Sequence, residues 1–390
     1  MDSDIVSQAV KNRKHEWIAF CQKLIQTPSP TYGEAEAAKL ILSEMKRLEY
    51  DDVWIDPKGN VIGVIAGTDP CAPVINLNSH IDHVTVGDEK DWKYMPFSGH
   101  VEGDRIYGRG ASDTKGAIAV QTYAPRILLD YGKRPRSTVY TTFVVEEELW
   151  GQGTLYLLVN SNLHFDLSIL GEGTGNHIML GHRGCIGIYV TIFGKSAHAS
   201  MPEEGKNPNF DAARFILELK KIQKSLKLHR ELGRTSMTPT IYSTGDISRN
   251  VIPEKVVIYI DCRQTVESRD DLVIILRNIA DKLDIEAQID VAEFDVGTEK
   301  ISDGFTTPRS HPYVLQARNI IAEALNREVT LDYWRFCTDG RITARNGITT
   351  FGFSPCEEHL AHTVNDSVSI HLMEESLRCY PRLLMGMNSI

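Results

Sequence analysis

The sequence predicts an α/β protein in which a mostly parallel-sheet domain is interrupted by an inserted α+β domain. Three observations lead there. Short apolar, β-branched runs alternate with helical-period segments across residues 1–184. Between 185 and 297 the strands switch to period-two alternation, as in antiparallel sheets with one covered face. The first pattern returns over residues 298–390. A chain of 390 residues, 42% hydrophobic and 24% charged, exceeds one small core and suits two packed domains.

Residues 5–25 place Ile5, Val10, Trp17, Ile18, Phe20, Cys21 and Leu24 at helical spacing, and Thr27-Pro28-Ser29-Pro30 stops the helix. Residues 33–48, rich in Ala, Glu, Leu and Lys, predict a second helix. Strands are expected at 51–55 and 61–66, joined by the Pro57-Lys58-Gly59-Asn60 turn. A buried strand follows at 74–78, then a loop at 92–108 with Pro96, Gly99 and Gly103. A helix at 117–131, a strand at 138–145, a helix at 153–159 and a strand at 167–170 complete this part.

After Gly181-His182-Arg183-Gly184 come strands at 187–193, 240–244, 256–263 and 285–294, with helices at 210–228 and 269–283. From residue 311 a helix runs to 325. A strand at 329–331, a short helix after Gly340, a strand at 349–353 and a helix from 372 follow.

The net charge of −10 argues against nucleic acid as a partner, since phosphate binding needs a basic face. The seven cysteines (Cys21, Cys71, Cys185, Cys262, Cys337, Cys356 and Cys379) are odd in number and contain no CxxC pair. That pattern fits reduced thiols and offers no thiolate zinc site. The first twenty residues lack the apolar core of a signal peptide, and no apolar run reaches membrane-spanning length. The expectation is a soluble, cytoplasmic protein with no membrane partner.

Several acids and imidazoles stand where chemistry would need them. The candidates are His80, Asp113, the run Glu146-Glu147-Glu148, Glu172 and His362. Singly, each has an ordinary explanation: a hydrogen-bonded core His, a solvated turn, an acid between glycines. Jointly they do not. His80, the Glu run and Glu172 all follow strand candidates, and Asp113 precedes a helix, so they gather where parallel sheets bind ligands. A cysteine-free set of N and O donors suits Zn2+, Mn2+ or Co2+. On an extended strand His80 and Asp82 would point to one side.

Nine stretches carry a resemblance: SHIDH at 79–83, GRGASDTKG at 108–116, VVEEELWGQGT at 144–154, GEGT at 171–174, GKSAHASMPEEGKNP at 194–208, RNVIPEK at 249–255, DCR at 261–263, TDGR at 338–341 and AHTVND at 361–366. In this order they resemble the zinc aminoacylase/carboxypeptidase family of metallopeptidases. That family includes acetylornithine deacetylase, succinyl-diaminopimelate desuccinylase, aminoacylase and a selenium-metabolism-linked hydrolase.

The resemblance implies a zinc-peptidase-type catalytic domain and an inserted lid that also forms a homodimer. It implies two divalent cations, zinc foremost, with cobalt and manganese as alternatives. His80 and Glu172 would hold one, Glu148 and His362 the other, and Asp113 would bridge. Asp82 would orient His80, and Glu147 would be the general base. A one-residue shift would instead make Glu146 the base and Glu147 the ligand. The resemblance further implies a cis peptide between Asp113 and Thr114. His198 would stabilise the oxyanion from the other subunit. Asn250, Arg263 and Arg341 would hold a substrate carboxylate, although Arg263 could equally form an ion pair with Asp261. His83 and His182 are read as structural. The implied reaction is cleavage of the amide of a small N-acyl amino acid, in the manner of the deacetylase and the desuccinylase. A di- or tripeptidase or an N-carbamoyl amidohydrolase is the alternative. A catalytically silent relative would have lost the base or a ligand, and none is missing.

Overall fold

The computed structural model describes residues 3–245, 248–292 and 303–390. The chain divides into two compact units. The first runs to Gly181 and includes Thr306–Trp334 and Thr338–Ile390; the second is His182–Phe305 with Arg335–Cys337. The second is wider than the expected 185–297 because the outgoing and returning chain meet. A Cβ on Gly304 would lie 2.4 Å from the His182 carbonyl oxygen.

The elements in chain order begin with α1 (Ser3–Asn12), α2 (Lys14–Gln26), α3 (Ala35–Arg47), β1 (Asp52–Ile55), β2 (Val61–Ile65), β3 (Ile75–His80), β4 (His100–Glu102), β5 (Arg105–Tyr107) and α4 (Gly116–Asp130). Next are β6 (Val139–Val144), α5 (Gln152–Asn160), β7 (Leu167–Leu170) and β8 (Ile178–His182). The second unit has β9 (Gly184–Phe193), β10 (Ala197–His198), α6 (Pro208–Ile222), β11 (Leu228–His229), β12 (Gly233–Arg234), β13 (Ser236–Ser243), β14 (Val251–Ile252), β15 (Lys255–Gln264), α7 (Arg269–Lys282) and β16 (Ala287–Val291). The chain closes with β17 (Phe305–Thr306), α8 (Pro312–Leu325), β18 (Leu331–Trp334), α9 (Gly340–Arg345), β19 (Thr349–Gly352), β20 (Ser367–Ser369) and α10 (Ile370–Gly386).

The first unit is built on a mixed sheet in the order β1-β2-β6-β3-β7-β19-β8. Its centre is parallel: β3 pairs with β6 and β7, and β19 with β7. All six residues of β3 are buried: Ile75 and Leu77 join the core, and Asn76, Asn78 and Ser79 are hydrogen-bonded to Ser168, Thr142 and Gln121. The pairing sets His80 beside Val144 and Asn78 beside Leu170. His80, the Glu146–Glu148 run and Glu172 therefore leave the sheet at one edge. Behind them, Trp17, Tyr123, Phe143, Phe351 and Tyr380 are fully buried in the core. Burial of each such side chain stabilises by about 1.5–3 kcal/mol.

Several local expectations needed tertiary context. The single helix at 5–25 is two, because Arg13 leaves helical geometry (φ −98°, ψ 9°); its guanidinium binds Asp130 and Glu16. The loop at 92–108 contains the β4–β5 hairpin, which β20 extends to three strands. Strand β4 is exposed throughout and so carries no apolar signature. Strand β8 was not expected. The helix at 210–228 ends at Ile222, and the last helix starts at Ile370. Residues 293–294 of the expected strand at 285–294 lie outside the described residues.

In the second unit, β13-β15-β9-β16 form an antiparallel sheet. Phe215 and Leu219 of α6 and Leu272, Leu276 and Ile279 of α7 share a core with Ile188, Val190, Ile258 and Ile260. Helix α7 opens with a capping box between Ser268 and Asp271. Among the described residues no helix is long and apolar enough to cross a membrane.

Candidate metal centre

His80 ends β3 and is buried. Its Nδ1 lies 2.9 Å from the Asp82 carbonyl oxygen and 3.5 Å from Asp82 Oδ1. A proton on Nδ1 serves that carbonyl, which leaves the Nε2 lone pair free to face the acids. Nε2 is 3.1 Å from Asp113 Oδ1 and 4.0 Å from Glu172 Oε1.

Asp113 sits in the tight turn Ala111–Lys115 that feeds α4, and its peptide bond to Thr114 is cis. The Thr114 hydroxyl donates to the His80 carbonyl at 2.9 Å and accepts the His80 N–H at 3.2 Å, joining this turn to the strand end. The second Asp113 oxygen, Oδ2, is 2.8 Å from His362 Nε2. One carboxylate thus faces two imidazoles, one oxygen to each.

In the Glu run, Glu146 adopts a left-handed backbone (φ 56°) and its carboxylate accepts from Lys58 Nζ at 2.7 and 2.8 Å. It is turned to Lys58. Glu148 Oε1 lies 3.0 Å from His362 Nε2. Glu147 groups instead with His80 and Glu172. The backbone N–H groups of Glu147 and Glu148 donate to Asp82 Oδ1 and Oδ2 at 3.1 and 3.2 Å, and the Thr31 hydroxyl donates to Oδ2 at 2.9 Å. Asp82 touches His80 Nδ1 through its backbone carbonyl at 2.9 Å and through its carboxylate at 3.5 Å, the carbonyl being closer because β3 ends at His80. Its carboxylate anchors the Glu147–Glu148 backbone.

Burial dominates the proton affinities here. It pushes Glu172 up to about 8, with the charges of Asp113, Asp339 and Glu148 adding and His80 opposing. Burial, Glu172 and Asp339 likewise hold Glu147 well above the usual carboxylate range. Burial alone would lower His80, but its hydrogen bonds to Asp113 and Asp82 and the charge of Glu172 raise it. Hydrogen bonds donated to Asp113 and Glu148 push His362 up to about 10. Burial would raise Asp113, but the two histidines bring it below its ordinary value.

The residues fit divalent cations. His80, Glu147 and Glu172 form one group, and Asp113, Glu148 and His362 another, with ligand atoms within 4.8 Å of one another in each. All donors are N or O, as hard and borderline cations prefer.

The other expected residues are more dispersed. Arg341, on α9, is buried, and its Nε has no hydrogen-bond partner among the described residues. In the second unit, His198 Nε2 lies 3.1 Å from Asn250 Nδ2, and its Nδ1 lies 2.6 Å from Ser200 Oγ. Arg263 closes its fork on Asp261, with Nε–Oδ1 at 2.8 Å and Nη2–Oδ2 at 3.2 Å, the ion pair that was the other reading of this residue. His83 takes no part in the cluster: its Nε2 accepts the Ser29 N–H at 3.0 Å, and its Nδ1 lies 2.7 Å from the Val84 carbonyl oxygen.

One acid near the site was missed. Asp339 is buried beside α9; Oδ2 accepts from the Thr154 hydroxyl at 2.5 Å, and Oδ1 has no partner among the described residues. A Cβ on Gly151 would come within 2.0 Å of that Oδ1, so this approach needs glycine. The Thr338-Asp339-Gly340-Arg341 run signalled the place but drew attention to its arginine.

A strand-end imidazole, a carboxylate facing two imidazoles and buried acids on a parallel sheet are the donor set of a metal-dependent hydrolase. The chain belongs to peptidase family M20/M25/M40, whose profile matches residues 76–386. An uncharacterized protein of Escherichia coli (strain K12), YgeY, is 27% identical over 373 residues, covering 93% of this chain and 92% of its own. The succinyl-diaminopimelate desuccinylase of Hydrogenovibrio crunogenus is 26% identical over 388 residues, covering 95% and 99%. Among solved structures, aminopeptidase PepT of Bacillus cereus superposes with a TM-score of 0.78 at 21% identity, covering 95% of this chain and 98% of that one. It shares the fold.

Proposed function

We propose that this protein is a dinuclear metal-dependent hydrolase that cleaves the amide bond of a small N-acyl amino acid. The observation that carries this reading is the Asp113 carboxylate, with Oδ1 at 3.1 Å from His80 and Oδ2 at 2.8 Å from His362. Such a carboxylate is suited to bridge two cations, His80 and Glu172 holding one, Glu148 and His362 the other. When bound, the cations supply Lewis-acid polarisation of the amide carbonyl and make water more acidic. Glu147 then serves as general base. Asp113 supplies the oxygen near His80 that Glu147 would otherwise provide, so Glu147 is free to move protons. Its raised proton affinity suits taking a proton from water and returning it to the leaving amine. Asp82 fixes the peptide groups on which Glu147 and Glu148 stand.

Arg341, with an unused Nε, is the better supported cation for a substrate carboxylate; Arg263 would first have to release Asp261. His198 is proposed as the oxyanion donor, acting in a homodimer formed through the second unit, which light scattering tests, and Asn250, 3.1 Å from it, as a further holder of the substrate carboxylate. Zinc is the proposed native metal and the cytoplasm the proposed compartment. The desuccinylase named among the relatives supports an acylated amino acid as substrate.

The test is a screen of N-acetyl, N-succinyl and N-carbamoyl amino acids and dipeptides with Zn2+, Co2+ or Mn2+. The Glu147→Gln variant should lose about 10²–10⁴-fold in turnover while keeping its cations. Absence of turnover on every compound sinks the proposal, and an active Glu147→Gln enzyme sinks the base assignment. Preference for dipeptides or carbamoyl compounds would move the reading to those chemistries.

A further inference from the structure

We propose that Asp366, together with Arg109, is a positioning residue for the cation subsite at His362. It clamps the loop that carries His362 to the loop that carries Asp113, and so sets the spacing of those two donors. The inference rests on the two-cation reading above.

His362 needs such a clamp. It lies outside every helix and strand and adopts a left-handed backbone (φ 61°), a region non-glycine residues rarely occupy. The turn around it is local, with Ala361 N to Glu358 O and Thr363 N to Leu360 O both at 3.3 Å and the Thr363 hydroxyl donating to the Leu360 carbonyl at 2.9 Å.

Four donors from residues 108–112 converge on Asp366, which is fully buried. Its Oδ2 accepts from the Gly110 N–H at 2.7 Å and from Arg109 Nη1 at 3.2 Å. Its Oδ1 accepts from the Ser112 N–H at 2.8 Å, and its carbonyl from the Gly108 N–H at 3.0 Å. Arg109 Nη1 also donates to the Thr363 carbonyl at 3.1 Å, one residue past His362, and its guanidinium lies over the Trp92 ring at 4.8 Å. Ser112, the residue before Asp113, donates its hydroxyl to the Ser367 carbonyl at 2.9 Å.

His80 receives none of these bonds: β3, Thr114 and Asp82 hold it. Because Thr114 ties the Asp113 turn to His80 independently of Asp366, loss of the clamp shifts His362 relative to the shared carboxylate and weakens that subsite.

An asparagine at 366 keeps the size but not the function. Its NH2 would meet a backbone N–H where an acceptor is required, and Arg109 would lose its counter-charge in a buried place. Removing an outer partner of this kind typically weakens cation affinity about 10–100-fold.

The experiment is calorimetric titration of the metal-free protein with Zn2+, repeated with Co2+ to follow visible absorption. Wild type, Asp366→Asn, Arg109→Gln and His362→Gln are compared, with circular dichroism as the check on folding. The expected result is two sites in wild type. In Asp366→Asn one site should weaken about 10–100-fold and the other stay unchanged. The weakened site should be the one that His362→Gln removes, and adding Asp366→Asn to His362→Gln should leave the remaining site as it was. Wild type binding fewer than two cations sinks the two-cation reading and this inference with it. Wild type binding two, with the variant matching it or losing both sites equally, overturns the clamp alone. If Asp366→Asn does not fold, Arg109→Gln decides from the other side of the contact. If neither folds, the clamp is not local to one subsite and the proposal fails.

Discussion

His80 and His362 face the same carboxylate from opposite kinds of structure. His80 closes a strand buried on both faces and its side chain is 2% exposed; the His362 side chain, on a loop, is 52% exposed. The first is held by sheet pairing and by Thr114, bonds that exist for the fold's own sake. The second is held by a few side-chain contacts between segments far apart in the chain. A donor on a strand end is positioned by the core, whereas a donor on a loop must be positioned by dedicated residues. The two subsites should therefore differ in affinity and in sensitivity to mutation.

The largest expected effect removes what they share. Asp113→Asn should leave turnover at background and bring metal content, by mass spectrometry after dialysis, below that of either histidine variant. His362→Gln should then keep one tightly held cation per chain, and His80→Gln should keep only the looser one. Equal retention in the two variants would break the comparison.

A middling effect concerns the strand-end side. Burial pushes His83 down to about 4, so it stays neutral between Ser29 and Val84. The unfolded chain takes up that proton near pH 6.5, so the folded state binds fewer protons below it. Stability from this residue is present above about pH 6.5 and falls toward pH 4, by on the order of 2–3 kcal/mol. Urea midpoints measured against pH should show that loss in wild type and a flatter profile in His83→Gln. Parallel profiles would remove His83 from the account.

The smallest effect sharpens the assignment within the Glu run. Glu146→Gln breaks only the pair with Lys58, partly exposed at 27% and 12%, and should cost about 0.2–1 kcal/mol with turnover near wild type. A large loss of turnover would return the base to position 146.

Much of this centre was legible in the sequence, for a physical reason. Apolar runs announce strands, and an imidazole and acids placed at the ends of three of them have one place to go. The order within Glu146–Glu148 was not legible, since it depends on a left-handed turn at Glu146 and on Lys58, far away in sequence. A second task of Asp82 is not announced by its spacing from His80: its carboxylate also accepts the Glu147 and Glu148 N–H groups, contacts that only the folded chain makes. Asp339 and Asp366 were passed over because a buried acid in a loop has the same letters around it as a solvated one; only the folded partners tell them apart. The β4–β5 hairpin was lost for the opposite reason, since exposed residues leave no periodicity to read.

The order of the proposed ligands along the chain has a further consequence. On a ribosome, His80, Asp113, Glu148 and Glu172 emerge early, while His362 follows only after the whole second unit has been made. In the proposed centre the strand-end donors precede the second unit and His362 follows it, so a chain stopped within that unit would carry the strand-end donors without the loop one.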